Sequence, residues 1–140
     1  MLAVSSCSPA PSISNGTAKR PIVTYCAGGG FTGYAAQLEI TKEGEAIGWS
    51  LAKSRDLIGQ RRLSKEDLEE LSRLLASFAE YDNSYGHVTA DGLAISITTE
   101  VDGREKTVTV YSSKDAAPPA SWRELETKLQ GILEELRGGV

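Results

Sequence analysis

Few residues in this chain could do chemistry, and their spacing decides what each could do. Gly28, Gly30 and Gly33 spell GxGxxG directly after a β-branched run, the pattern that cradles a dinucleotide pyrophosphate. That chemistry needs a helix to open at the last glycine, so that its first amides face the phosphates. Here Tyr34, Ala36, Leu38 and Ile40 alternate with Ala35, Gln37, Glu39 and Thr41, which is the period of a strand. A nucleotide site is therefore set aside. The glycines become either a plain connection or a loop, Gly29-Gly30-Phe31-Thr32-Gly33, whose bare backbone and single aromatic face a partner.

The one histidine, His87, lies in a polar loop from Tyr81 to Gly92 with Asp82, Asn83, Tyr85 and Asp91. A lone imidazole among scattered oxygens lacks the ligand spacing of a zinc site. The order Asp82, Ser84, Gly86 also departs from a calcium loop, which has its glycine sixth and a closing glutamate. Bonding between side chains and turn backbone accounts for these residues. Nucleophilic catalysis needs a base beside its nucleophile. Neither cysteine has an evident partner for that, and most carboxylates fall on outer helix faces. The expectation is a non-enzyme with no metal and no cofactor.

Cys7 and Cys26 are too few for a disulfide framework, although one bridge between them is open. Val4-Ser5-Ser6-Cys7 resembles the lipobox of bacterial lipoproteins, and the Ser, Pro, Asn and Gly-rich tract Ser8 to Thr17 behind it is tether-like. A complete signal peptide needs a basic and an apolar region, and only Leu2, Ala3 and Val4 precede the box. Residues 1–19 are thus read as a signal remnant and disordered tether, and 20–140 as a single domain. If the true start lies upstream, Cys7 is lipidated and the protein belongs in the bacterial cell envelope or outside the cell. A cytoplasmic protein with an ordinary Cys7 is the alternative.

With 140 residues, 40% of them hydrophobic and 24% charged, the chain can bury about two-thirds of its unfolded surface as one domain. Its net charge of -4 argues against nonspecific nucleic-acid binding, which needs a basic surface to displace counterions. No apolar run approaches spanning length, so a membrane would be met only through a lipid anchor at Cys7.

The elements that position these residues follow from periodicity. Pro21 to Ala27 is a first strand. A hairpin follows, with Glu43-Gly44 at a two- or four-residue turn that pairs Ile40 with Ile47, Leu38 with Trp49 and Ala36 with Leu51 on one inner face. Lys53 to Arg62 is a basic connection, more readily a solvated loop than a contact site. Ser64-Lys65-Glu66-Asp67 is a capping box with Leu63 and Leu68 as its staple, opening a helix striped by Leu68, Leu71, Leu74, Leu75 and Phe78. In a second hairpin, Asp102-Gly103 forms a type I′ turn that sets Val101 opposite Arg104, Ile97 opposite Val108 and Ile95 opposite Val110. Leu93, Thr99 and Val101 share that inner face. After Pro118-Pro119, a second capping box from Ser121 to Glu124 opens a helix striped by Trp122, Leu125, Leu129, Ile132, Leu133 and Leu136.

The expected fold is α+β: one antiparallel sheet of four to five strands with both helices on one face, in the order β-ββ-α-ββ-α, a pseudo-repeat of a ββα unit. Gln37, Glu39, Thr98, Thr107, Thr109 and Tyr111 would line the opposite face.

The GGFxG loop after a strand, the hairpin and capped helix, Asp91-Gly92, the Asp102-Gly103 hairpin and the Pro-preceded Leu-rich helix together resemble the emfourin family, over roughly Gly28 to Leu136. Those small bacterial proteins include inhibitors of thermolysin-like metalloproteases such as protealysin, and similar domains occur in exported lipoproteins. The resemblance implies a protein-binding module, secreted or tethered to the envelope, with a metalloprotease as its implied protein partner and the GGFxG loop as its carried-over feature. A structural lipoprotein with no protease target is the alternative.

Overall fold

Ten short elements alternate along the computed structural model, which describes residues 21–29, 35–52, 54–89 and 92–138. Strands β1 (Pro21–Gly28), β2 (Ala35–Thr41), β3 (Glu45–Ser50) and β4 (Asp56–Arg62) precede helix α1 (Lys65–Leu75) and a 3₁₀ turn (Phe78–Glu80). Then come β5 (Ser84–Tyr85), β6 (Ala94–Val101), β7 (Arg104–Tyr111) and helix α2 (Ala120–Gly138). The seven strands form one mixed sheet in the order β4-β3-β2-β1-β6-β7-β5. Every pairing is antiparallel except β5 with β7. The α+β class stands, and the expectation of four to five antiparallel strands is corrected to seven in a mixed sheet.

The β6–β7 hairpin pairs as its sequence dictates: Val101 with Arg104, Ile97 with Val108 and Ile95 with Val110. Asp102 and Gly103 both carry positive φ, 53° and 81°, as a type I′ turn requires. The β2–β3 hairpin pairs differently. Ile40 faces Ala46, Leu38 faces Gly48 and Ala36 faces Ser50, one residue out of the expected register. Glutamate does not readily take positive φ, so the chain closes a three-residue loop instead, with Gly44 alone in the left-handed region at φ +95° and its N–H donating to the Thr41 carbonyl at 2.9 Å. A shift of one flips every side chain. Trp49 and Ile47 therefore join Gln37 and Glu39 on the outer face, where Trp49 Nε1–H donates to Glu39 at 3.1 Å and the Arg55 guanidinium stacks 4.3 Å above the indole.

On the inner face, Val23, Tyr25, Leu38, Ile40, Ile97 and Val108 pack into one core with both helix stripes. Gly48 and Gly59 leave room for α2: a Cβ at either would press on Leu136. Ser64 caps α1 as expected, its hydroxyl accepting from the Asp67 N–H at 3.1 Å. The expected cap at Ser121 is displaced. Helix α2 begins at Ala120, two residues earlier than a Ser121 cap would set it, with the Pro119 carbonyl accepting from Trp122 and Arg123, and the Ser121 hydroxyl bonds Tyr81 Oη at 2.6 Å.

Two segments read as connections are strands at the sheet edges. The run before Leu63 forms β4, hidden in sequence because a bulge opposite Gly48 breaks its alternation. The Tyr81–Gly92 loop contributes β5, whose two residues pair with Thr109 and Val110. Among the described residues, no helix is long and apolar enough to cross a membrane.

Candidate functional site

Gly29 follows β1 with φ +105°, in the region that side chains rarely enter. A Cβ there would collide with the carbonyl oxygen of Gly92, which itself has φ +68° and donates its N–H to Thr89 at 2.9 Å. The start of the glycine loop is thus held against the turn that leads into β6. This is a close approach of two backbones, which is what the bare glycines permit. Gly30, Phe31, Thr32 and Gly33, the rest of the expected contact loop, lie outside the described residues, as do Cys7 and the whole of 1–19.

Beside Gly29 the ends of β1, β6 and β7 and the start of α2 enclose a groove of about 370 Å³. Leu93, Ile95, Val110, Tyr111 and Ala116 give it an apolar lining, and Arg123 is the only charged residue lining it among the described residues. Alternation alone predicts Leu93 on the inner face. In the structure it precedes β6 and is 39% exposed. The three exposed large hydrophobics among the described residues are Leu93, Val88 at 69% and Leu57 at 55%. Leu93 lines this groove, and Val88 lies between His87 and Thr89, which bond to the groove residues Ser113 and Ser112.

Hydrogen bonds hold that segment in place. Leu93 accepts from the Ser112 N–H at 3.2 Å, Thr89 and Ser112 share a hydroxyl bond of 3.0 Å, and the His87 N–H donates to Ser113 Oγ at 3.0 Å. Ser113 in turn donates to Asp115 at 2.6 Å, and His87 Nδ1 lies 3.1 Å from the same carboxylate. The Ser113 hydroxyl, followed by the His87 imidazole, holds the Asp115 carboxyl below its ordinary range. Serine, aspartate and histidine meet here in an order different from that of a Ser-His-Asp triad. The Ser113 proton points to the carboxylate instead of the imidazole, whereas a nucleophile needs the base as its own neighbour. The trio clasps the 84–89 segment to the loop after β7.

The arginines of the basic run are engaged within the fold. Arg55 pairs with Glu39 at 3.4 Å, Arg61 pairs with Glu135, and Arg62 donates to the Glu43 carbonyl at 3.0 Å. Beneath Arg55, Gln37 is fully buried and its Oε1 accepts from Arg55 at 3.0 Å, while its Nε2 has no hydrogen-bond partner among the described residues. A second cleft, of about 330 Å³, separates the helices. There Lys128 reaches Asp67 at 2.6 Å and Glu70 at 3.1 Å, which lowers the Asp67 pKa and raises that of Lys128. No group of three or more His, Cys, Asp or Glu among the described residues is arranged to hold a metal ion.

Cys26 sits on β1 with 2% of its surface exposed and is disulfide-bonded. The sequence holds one other cysteine, Cys7.

Sequence reading named the glycine loop but missed Val88, Leu93 and Arg123 beside it. The available signal was two isolated apolar residues flanking Asp91-Gly92 in an otherwise polar stretch. No protein-family model matches the chain, and no curated protein matches it.

Proposed function

We propose that this chain is a non-enzymatic, exported protein-binding module that meets its partner at the sheet end where Gly29 abuts Gly92. The observation that carries this reading is the exposure of Leu93 and Val88 in the segment bordering the groove, on a backbone pinned by hydrogen bonds. Exposed apolar side chains beside a concave surface are characteristic of protein contacts. In sequence, the GGFxG motif begins at Gly29.

The disulfide at Cys26 supports export, since such bonds persist in oxidising compartments. It also separates two versions of that reading. A thioether-linked lipid on Cys7 and an intrachain bridge to Cys26 use the same sulfur and exclude each other. A Cys7–Cys26 bridge would correspond to the secreted module, and a lipidated Cys7 to the anchored one. A thermolysin-like metalloprotease is the specific partner implied by the resemblance of the GGFxG loop, and it is the first to assay.

The test compares the full chain with the Val88→Ser/Leu93→Ser variant as baits in lysate and medium of the source organism, with Leu57→Ser as an exposed apolar control. A protein retained by wild type and by the control, but lost with the double variant at unchanged melting temperature, is the expected result. Equal retention by all three would place the contact elsewhere.

A further inference from the structure

The groove beside Gly29 has a chemical sign. Its walls are aliphatic and aromatic, yet one guanidinium, that of Arg123, opens onto it. Arg123 donates through one nitrogen to Glu126 at 3.0 Å and lies 5.8 Å from the Trp122 ring, with 51% of its side chain exposed. Guanidinium has five N–H donors in a planar fork, and a single contact with Glu126 leaves capacity for a second carboxylate. Among the described residues no carboxylate lines the groove, in a protein whose net charge is -4.

We infer that the groove takes an acidic peptide segment of the partner, with an aliphatic side chain seated between Leu93, Ile95 and Val110 and a neighbouring Asp or Glu carboxylate paired with Arg123. This rests on the protein-binding reading above and adds the sign and shape of the partner's contact. A cationic segment would meet Arg123 with like charge. A fatty acid shares the apolar-anion chemistry, but a groove open to solvent would leave much of an acyl chain in water.

The experiment titrates ¹⁵N-labelled full chain with acetyl-Leu-Glu-Leu-amide, its Gln counterpart, and decanoate. The expected result is saturable shifts of the Leu93, Ile95, Val110 and Ala116 amides, with the Glu peptide binding about threefold to fivefold tighter than the Gln peptide, as a half-exposed ion pair allows. In Arg123→Gln that preference should vanish while the weaker apolar binding persists, and in Arg123→Lys it should partly return. Equal binding of the two peptides at these amides would overturn the charge assignment yet leave the binding surface standing. Shifts produced by decanoate alone, or no shifts at these residues with any probe, would overturn the peptide assignment. The bait comparison, which depends on Val88 and Leu93, would still decide whether the surface binds protein.

Discussion

Gly29 and Gly92 touch through bare backbone, the end of β1 against the turn that enters β6, with no space for a Cβ between them. The contact locks the root of one loop to the root of the other. A side chain at Gly29 must also adopt φ +105°. Gly29→Ala is therefore expected to lower stability by about 1–3 kcal/mol, read from urea midpoints, and to shift the amide resonances of Leu93 and Ala94. An unchanged midpoint would mean that the two backbones are not held together in solution.

Gly131 presents the opposite case. It sits inside α2, lines the cleft between the helices, and has nothing within 4 Å of where a Cβ would stand. Gly131→Ala should therefore raise stability by about 0.5–1 kcal/mol, because glycine in a helix interior loses more backbone entropy on folding than alanine. A fall in melting temperature would show that the open space is not there.

The Lys128 bridge to Asp67 and Glu70 should leave a pH signature. Asp67 titrates below its unfolded value, chiefly through its bond to Lys128, so its contribution is present above about pH 4 and is lost as pH falls through the lower folded value. Lys128 titrates above its unfolded value, so its share holds below about pH 10 and is lost as pH rises through the higher folded one. Lys128→Met should cost about 0.5–1 kcal/mol on the plateau between, with the difference from wild type closing at both ends. A difference that does not change with pH would assign the effect to packing of the lysine stem.

Cys26 should be unreactive in the oxidised protein. Iodoacetamide under denaturing conditions, followed by intact-mass measurement, is expected to add nothing until a reductant is supplied. Alkylation without reductant would return Cys7 to the lipidation reading.

How much of this was legible in the chain differs by element. The Asp102-Gly103 turn fixed the β6–β7 register because both residues accept the φ values that a two-residue turn demands. At Glu43-Gly44 only the glycine does, and the resulting three-residue loop moved Trp49 to the face opposite the one its alternation suggested. β4 was hidden by its bulge and by arginines whose partners, Glu39 and Glu135, are distant in sequence. The contact between Gly29 and Gly92 arises from β1 lying beside β6, a pairing across the sheet that no local pattern encodes. The groove residues Leu93 and Arg123 meet only as a consequence of that order.

The central claim is that the sheet end holding Val88 and Leu93 binds a protein partner. The most direct measurement is quantitative mass spectrometry of proteins retained by wild type, Val88→Ser/Leu93→Ser and Leu57→Ser baits matched in melting temperature. The expected result is at least one protein, with a metalloprotease the first to look for, held by wild type and Leu57→Ser and depleted with the double variant. Identical retention profiles for all three baits would contradict the claim.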